Sequence, residues 1–393
     1  YLDTTQTIEI YPVPTAEFAF DSACLGFENQ FTDLSNANGN YPIANWNWVF
    51  SDGQVSTEAS PSIEFVQYGF YNATLTVTTT AGCVNSINSG NAVVHPLPVS
   101  QFSNTLKNCL EDATWFADMS TVPNQLSDVI TDWRWNFADG SFSANQDTNH
   151  VYAVHGFYPV SLITITDKGC TDTVSHQVEI FPLPVVMFTS DVTQGCQPLR
   201  VQFEELCTIP APYSISQYTW NLGDGDGPIS NQNPLNVYNN DTLDDLGIAT
   251  YTVSLRATSG NGCITSDTVV NYIREYPKPD ALFAADDYVV DVLSTEINFT
   301  DKSSENVTEW YYDFGDGNSS TIENPTNHFP ENVGEYLVTQ YVTTQYGCLD
   351  TINATIKVEP IYTFYIPNSF TPNADGVNEE FFGDGEGHTS YSM

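Results

Sequence analysis

The sequence is poor in positive charge. Its 393 residues include 9 Lys and Arg against 49 Asp and Glu, which gives a formal net charge of −40. Nucleic-acid binding requires a basic surface, and anionic membranes attract basic rather than acidic segments. The composition therefore argues against both partners. The acidity fits a strongly hydrated or calcium-bathed surface protein, or it serves solubility alone.

Several sequence patterns are also missing. No apolar run is long enough to span a membrane, and no long amphipathic helical pattern occurs. There is no Cys-x-x-Cys pair of the kind that zinc sites use. A nucleophile elbow and a phosphate-binding glycine loop with its Lys are absent too. We therefore expect no catalytic residues and no enzymatic activity.

What the sequence does contain is one short motif, repeated four times at intervals of about 85 to 92 residues. Aromatic or apolar side chains stand at alternate positions, and Asp-Gly follows. Side chains alternate along a strand, so these positions share one face, and Asp-Gly favours a tight turn. Each copy therefore predicts a core strand that ends in a hairpin turn. The copies occupy residues 46–53, 133–140, 218–225 and 310–317.

The surroundings of the motif repeat as well. An aromatic residue follows the turn, and then come an alternating strand, a Gly-Cys pair, a last strand and a pair of prolines. Short alternating runs rich in Thr, Val and Tyr indicate an all-β protein. The period suits one small sandwich domain per repeat. The four Gly-Cys pairs are Gly82-Cys83, Gly169-Cys170, Gly262-Cys263 and Gly347-Cys348.

This ensemble resembles the PKD (polycystic kidney disease) domain family, a small Ig-like β-sandwich. The resemblance implies an all-β fold of tandem PKD-type sandwiches in a rod, followed by the start of a C-terminal β domain. The expected divisions are a last strand of a preceding repeat at 1–14, repeats one to four at 15–96, 97–182, 183–277 and 278–360, and a truncated C-terminal sorting domain at 361–393.

The first and last residues of each repeat bear on its neighbours. Residues 8–14 match the end of repeat two at residues 178–184, so we expect the natural protein to extend upstream by at least one repeat. Proline favours extended backbone, so the linkers should be stiff. The proline pairs are Pro12 and Pro14, Pro96 and Pro98, Pro182 and Pro184, and Pro277 and Pro279.

Eight cysteines recur with the period of the repeats and indicate an oxidising compartment. We predict one disulfide within each of the first three repeats, with Cys196–Cys207 as an alternative in the third. Cys348 has no early partner in repeat four, and the pairing of Cys207 and Cys348 stays open. The predicted pairs are Cys24–Cys83, Cys109–Cys170 and Cys196–Cys263.

The last segment is similar to the opening of the gliding-motility-associated C-terminal domain, the type B sorting signal of type IX secretion. The pattern is Pro-Asn-x-Phe-Thr-Pro-Asn-x-Asp-Gly-x-Asn. The resemblance implies the type IX translocon and a PorP/SprF-family outer-membrane β-barrel as partners, and attachment at the cell surface. The candidate sorting and partner-binding residues are Pro367, Asn368, Phe370, Thr371, Pro372, Asn373, Asp375, Gly376 and Asn378.

Two kinds of ligand are candidates. Calcium could bind the Asp-Gly turns or Asn373, Asp375 and Asn378, although a full calcium loop needs a longer series of oxygen ligands. The competing interpretation is turn chemistry alone. Surface glycans could stack on Trp46, Trp133 and Trp310 if these side chains were exposed, whereas a core role is the alternative.

Together these features predict a non-enzymatic stalk of a secreted, adhesin-like surface protein, exported by type IX secretion and used in gliding motility. The alternative is a spacer or carbohydrate-binding region of a large secreted hydrolase. A calcium-stiffened rod is a further alternative.

Overall fold

The computed structural model describes residues 6, 8–123, 126–239, 247–361, 363–365 and 384–386. All regular elements in these ranges are β-strands, arranged in several small sheets. Within the same ranges, none of the elements is a helix of the length and apolarity that crossing a bilayer requires. The predicted all-β fold of tandem sandwiches is confirmed.

Repeat one pairs a three-stranded sheet with a five-stranded sheet. The orders are β1-β3-β6 and β2-β8-β7-β4-β5, and β2 runs parallel to β8 while the other neighbours are antiparallel. The strands are β1 (Phe18–Phe20), β2 (Ala23–Cys24), β3 (Glu28–Asp33), β4 (Ile43–Phe50), β5 (Val55–Ser56), β6 (Ser62–Glu64), β7 (Gly69–Thr79) and β8 (Val84–His95).

Repeat two has the sheets β13-β10-β9 and β12-β11-β14-β15. A single parallel bridge from Cys109 to Phe181 stands where repeat one has the short strand β2. The strands are β9 (Phe102–Asn104), β10 (Ala113–Asp118), β11 (Ile130–Asn136), β12 (Phe142–Ser143), β13 (Thr148–Val151), β14 (Gly156–Thr166) and β15 (Thr171–Ile180).

Repeat three has the sheets β16-β18-β20 and β17-β22-β21-β19, with β17 parallel to β22. The strands are β16 (Phe188–Ser190), β17 (Gln194–Cys196), β18 (Leu199–Glu205), β19 (Ile215–Asn221), β20 (Leu235–Tyr238), β21 (Ala249–Ser259) and β22 (Ile264–Tyr276).

Repeat four has the sheets β23-β25-β28 and β24-β30-β29-β26-β27, with β24 parallel to β30. A separate antiparallel pair, β31 with β32, follows it. The strands are β23 (Phe283–Ala285), β24 (Val289–Asp291), β25 (Glu296–Asp301), β26 (Val307–Asp313), β27 (Ser319–Ser320), β28 (Thr326–His328), β29 (Gly334–Thr344), β30 (Leu349–Glu359), β31 (Thr363–Tyr365) and β32 (Asp384–Glu386).

The motif strands supply the centre of each core. Trp48, Trp135, Trp220 and Tyr312 are fully buried, and the residue two positions later is buried as well. Each ring also satisfies its polar tip: the Trp48 indole donates to the Glu58 carbonyl at 2.9 Å, and the other three make the matching bond to Asn145, Gln232 and Glu323. Buried aromatic groups need such a partner, so one residue fixes both the core and the following loop.

Residue contacts divide the chain into two compact units. The first comprises residues 1–183, 209–214 and 260–263, and therefore holds repeats one and two with two short segments of repeat three. The second comprises residues 184–208, 215–259 and 264–393.

Candidate functional site: disulfides that join successive repeats

The two cysteines of a repeat lie at opposite ends of its long hairpin. The early cysteine pairs in parallel with the last residues of the repeat, as Cys24 does with His95. The late cysteine follows the turn at the other end, where Thr79 donates its N–H to the Cys83 carbonyl at 2.9 Å. Strand β7 has 11 residues, and at about 3.3 Å per residue it separates the two ends by roughly 35 Å.

The predicted pairs Cys24–Cys83, Cys109–Cys170 and Cys196–Cys263 are wrong for this reason, because a disulfide needs Cα atoms within about 7 Å. Each early cysteine instead bonds the late cysteine of the following repeat, with Cα–Cα distances of 5.5 to 5.6 Å. Cys196 therefore bonds Cys348, and neither pairs with Cys207. We call these the joint disulfides: Cys24–Cys170, Cys109–Cys263 and Cys196–Cys348.

The joint between repeats one and two combines a disulfide with a buried polar pair. His95 Nδ1 lies 3.0 Å from Asp128 Oδ2, and both residues are buried. The second carboxylate oxygen of Asp128 is buried without a hydrogen-bond partner. A buried polar group that loses its hydrogen-bond partner is destabilising, so this pair ties the end of repeat one to the residues just before β11.

A tyrosine of the first unit, Tyr213, contacts the end of repeat two beside the Cys109–Cys263 disulfide. The Tyr213 hydroxyl donates to Glu179 Oε1 at 2.9 Å, and its ring meets the Phe181 ring edge-on at 6.0 Å. Burial and the hydrogen bond to Glu179 both raise the pKa of Tyr213. Edge-on aromatic contact adds to the burial of apolar area.

In the second unit, an aromatic contact and a salt bridge accompany the Cys196–Cys348 disulfide. Tyr276 and Tyr346 stack with ring centroids 4.3 Å apart, and Lys278 lies 2.7 Å from Asp350. Burial raises the pKa of Asp350, but hydrogen bonds from the Ala281 N–H and from Lys278 outweigh it and hold that pKa below its usual range. Each of the three joints thus has one disulfide and, beside it, a different set of non-covalent contacts.

Cys83 and Cys207 are the free cysteines among the described residues. Cys207 occupies a position that is Ser35, Ser120 or Ser303 in the other repeats. Its Sγ lies 3.7 Å from the Met187 carbonyl, and the three serine hydroxyls bond the corresponding carbonyls. Cys207 therefore fills a serine position and has no counterpart in the cysteine pattern.

The predicted sorting residues Pro367, Asn368, Phe370, Thr371, Pro372, Asn373, Asp375, Gly376 and Asn378 all lie outside the described residues. The predicted calcium ligands Asn373, Asp375 and Asn378 are among them. Within the described ranges, no group of three or more His, Cys, Asp or Glu residues could hold a metal ion. The Asp224 and Asp316 carboxylates of the Asp-Gly turns accept hydrogen bonds from the backbone N–H two residues later and from the side chains of Asn236 in β20 and Asn327 in β28.

The tryptophans considered for glycan stacking are half-buried and pack against the cores. The Trp46 indole donates to Asp33 at 2.7 Å, and the Trp133 indole donates to Asp118 at 2.8 Å. These two rings therefore form part of the sandwich edge. Trp133 also lines a surface cavity, of about 400 Å³. Trp310 differs in that its indole nitrogen is buried without a hydrogen-bond partner, and its cavity of about 430 Å³ is shared with the exposed rings of Tyr311 and Tyr341.

The sequence analysis missed the stagger of the joint disulfides, although the sequence held a signal for it. There are three early cysteines but four late ones, and the unmatched late cysteine at Cys348 stands in the last repeat. If each early cysteine pairs with the late cysteine of the next repeat, Cys348 gains a partner and Cys83 stays free. The structure has this arrangement.

The PKD domain family matches this sequence over residues 12–94, 113–181 and 275–359. A curated relative, the pre-pro-metalloprotease PrtV of Vibrio cholerae serotype O1, is 27% identical over 177 residues. The match covers 45% of this chain and 18% of the relative's length. Among solved structures, the PKD1 domain of Vibrio anguillarum Epp is 26% identical, with 22% of this chain and 98% of that chain covered and a TM-score of 0.20. The N-terminal eight Ig domains of Down Syndrome Cell Adhesion Molecule match at 14% identity, 88% and 49% coverage and a TM-score of 0.37.

Proposed function

This chain belongs to the PKD domain family, and from that premise we propose that it is a non-enzymatic, load-bearing stalk of a secreted surface protein. The observation that carries the proposal is the stagger of the joint disulfides, which link each repeat covalently to the next. A disulfide within a repeat protects that repeat alone. A disulfide between two successive repeats carries force past the chain segment that separates its two cysteines.

The length of the covalent path between Cys24 and Cys348 sets how far this part of the chain can extend under force. In the oxidised chain, the path from Cys24 to Cys348 runs through two disulfides and the segment from Cys170 to Cys196. At ~3.5 Å per extended residue, this path is about 90 Å long, against about 1,100 Å for the same span after reduction. Tension on the oxidised chain therefore cannot unravel repeats two and three.

Single-molecule pulling tests the stalk function directly. We expect the Cys24–Cys348 span to release about 1,000 Å more contour length in the reduced chain than in the oxidised chain. Removing the third joint disulfide with Cys196→Ser and Cys348→Ser should lengthen the oxidised path to about 500 Å. The shortest remaining route crosses Cys24–Cys170, runs back to Cys109, crosses to Cys263 and continues to Cys348, which leaves roughly 146 residues in series.

The matched control is the pair Cys109→Ser and Cys263→Ser. That disulfide does not lie on the shortest covalent path from Cys24 to Cys348, so its removal should leave the length of this path at about 90 Å. Equal extension of the oxidised and reduced wild-type chains would contradict the stalk function.

Disulfides form and persist in oxidising compartments, and together with the PKD domains they indicate a secreted or surface protein. We further propose that the segment from residue 361 onward directs export through the type IX translocon and attaches the protein to a PorP/SprF-family outer-membrane β-barrel, in a gliding adhesin. The support is the sequence pattern from Pro367 to Asn378.

Export is tested by deleting the chain from residue 361 onward in its natural host and labelling intact cells with antibody against the repeats. We expect surface labelling to disappear while the protein accumulates inside the envelope. Labelling that persists would contradict the sorting role and leave the mechanical role untouched.

A second candidate function is glycan binding in a secreted hydrolase. The cavity lined by Trp310, Tyr311 and Tyr341 favours it, because exposed aromatic rings offer faces for sugar stacking. The relative PrtV, a metalloprotease by name, is compatible with a spacer role beside a catalytic domain. Binding to a glycan array that is lost in Tyr311→Ala and kept in Tyr288→Ala would support this candidate.

A further inference from the structure

The segment of residues 8–14 contacts Tyr41 of repeat one. The end of repeat two makes the same kind of contact with Tyr213 of repeat three. The Tyr41 hydroxyl donates to Glu9 Oε1 at 2.9 Å, and its ring meets the Tyr11 ring edge-on at 5.0 Å. The Tyr213 hydroxyl bonds Glu179 Oε1 at the same distance and meets Phe181 edge-on. In both places a tyrosine hydroxyl bonds a glutamate, and the tyrosine ring meets the aromatic residue two positions after that glutamate.

Cys83 lies where the other late cysteines form their disulfides. It follows Gly82, whose φ is +84°, as Cys263 follows Gly262 at +83°. Its Sγ lies 3.8 Å from the Tyr11 carbonyl. In the bonded joints, the residue equivalent to Tyr11 is the one that pairs with the early cysteine: His95 with Cys24, Phe181 with Cys109, and Tyr276 with Cys196.

Cys83 and the segment of residues 8–14 are more exposed than their equivalents in the other repeats. The late cysteines Cys170, Cys263 and Cys348 are 0 to 1% exposed, whereas Cys83 is only partly covered. Ile8 and Ile10 are 82% and 86% exposed, although their equivalents Val178 and Ile180 lie in the core of repeat two. Apolar side chains at core positions of a strand require a sandwich to cover them.

We propose that Cys83 forms a fourth joint disulfide, with an early-strand cysteine of a further PKD-type repeat whose last strand is the segment of residues 8–14. That repeat would bury Ile8 and Ile10 in its own core. Its early strand would pair in parallel beside Tyr11 and bring its thiol to Cys83. This inference rests on the proposed stalk function and extends it to the chain's partner on that side.

The bond requires an oxidant, which we assign to a disulfide-carrying thiol oxidoreductase of the compartment. The early cysteine first attacks the oxidoreductase disulfide and forms a mixed disulfide, releasing one oxidoreductase thiol. The Cys83 thiolate then attacks the early-cysteine sulfur of that mixed disulfide, and the second oxidoreductase thiol leaves. Two protein thiols become one disulfide, and the oxidoreductase takes up the two electrons and two protons.

Cys207 does not compete for this role. Burial raises the pKa of its thiol, and the neighbouring Glu205 adds to the shift. The thiolate is the reactive form in disulfide exchange, so Cys207 remains a thiol. It also fills a serine position, as described above, which makes Cys207→Ser a conservative control.

The test is disulfide mapping of the full-length protein isolated from its natural host, after alkylation of free thiols and proteolysis without reductant. We expect the Cys83 peptide to be linked to a peptide from an upstream PKD-type repeat, and the Cys207 peptide to be alkylated. In the host, Cys83→Ser should expose one new alkylatable cysteine in that upstream repeat, and Cys207→Ser should expose none.

Three results would overturn the proposal while the three joint disulfides remain intact: an alkylated Cys83, a Cys83–Cys207 bond, or a Cys83–Cys83 bond between two copies. Loss of the joint disulfides themselves would instead contradict the proposed function. The two failures are therefore distinguishable in one experiment.

Discussion

At the residue scale, polar groups at the edge of each core are held by short, specific hydrogen bonds. Asp139 in the second Asp-Gly turn is an example. His150 Nε2 lies 2.6 Å from Asp139 Oδ2, and the Ser141 N–H donates to Oδ1 at 2.9 Å. Burial raises the pKa of Asp139, but these hydrogen bonds outweigh it and hold the pKa below its ordinary value.

This lowered pKa predicts a dependence of stability on pH. An aspartate titrates near 3.9 in the unfolded chain, so the Asp139 interactions stabilise the fold above about pH 4 and are lost as the pH falls through the lower folded-state pKa. His150→Ala should move the pKa of Asp139 upward, toward the ordinary value, as measured by NMR titration of the side-chain carboxyl. His176→Ala, which removes a histidine whose ring packs against Phe102 in the same repeat, should leave the pKa of Asp139 unchanged.

At the element scale, the turn after each motif strand shows how local sequence fixes local structure. The residue before Asp-Gly is Ser51, Ala138, Gly223 or Gly315, and all but Ser51 adopt positive φ. Glycine tolerates this conformation, whereas alanine is strained in it. The Asp-Gly turns were predictable from the sequence because turn chemistry depends on adjacent residues alone.

Ala138→Gly should therefore stabilise repeat two, by about 0.5 to 1 kcal/mol after the greater chain entropy of glycine is subtracted. Hydrogen exchange of the core amides of repeat two would measure the change. Ser51→Gly is the matched control and should destabilise repeat one, because Ser51 has no positive φ to relieve and its Oγ accepts a hydrogen bond from the Asn72 N–H. Stabilisation by both changes would contradict the backbone argument.

Gly315→Ala should act in the opposite direction from Ala138→Gly. A Cβ at Gly315 would lie 2.6 Å from the Leu337 carbonyl oxygen, which belongs to the neighbouring strand β29. A backbone atom cannot yield as the end of a flexible side chain does, so we expect a loss of more than about 1 kcal/mol in repeat four. Unchanged exchange rates in the core of repeat four would contradict this.

At the scale of the whole molecule, the disulfides connect cores that are already complete. The cores are built from aromatic and aliphatic residues, and each joint disulfide bonds a cysteine of one repeat to a cysteine of the next. The joint disulfides close segments with sequence separations of 146 to 154 residues. Rings of that size remove conformational entropy worth about 5 kcal/mol each from the unfolded chain.

Reduction should therefore leave the far-UV circular dichroism at 25 °C unchanged and lower the midpoint of thermal unfolding. The β signal persists because the cores need no disulfide, and the midpoint falls because the unfolded chain gains freedom. Cys207→Ser serves as the control, with no effect on either quantity. Loss of the β signal on reduction would show that the repeats depend on disulfides internally.

The sequence predicted what depends on near neighbours and failed where distant residues decide. Period-two alternation around Trp48 and Trp135 was enough to assign the core strands, because burial on one face leaves a local pattern. The disulfide pairing could not be obtained in this way. It depends on which end of the long hairpin each cysteine occupies, and on the contact between the end of one repeat and the start of the next.

Disulfide mapping of the 393-residue chain by itself, folded and oxidised, tests the central claim most directly. Our account predicts three linked peptide pairs, Cys24–Cys170, Cys109–Cys263 and Cys196–Cys348, with Cys83 and Cys207 recovered as alkylated thiols. Pairs within repeats, such as Cys24–Cys83 or Cys109–Cys170, would contradict it, because no disulfide would then link one repeat to the next and the backbone alone would carry the force.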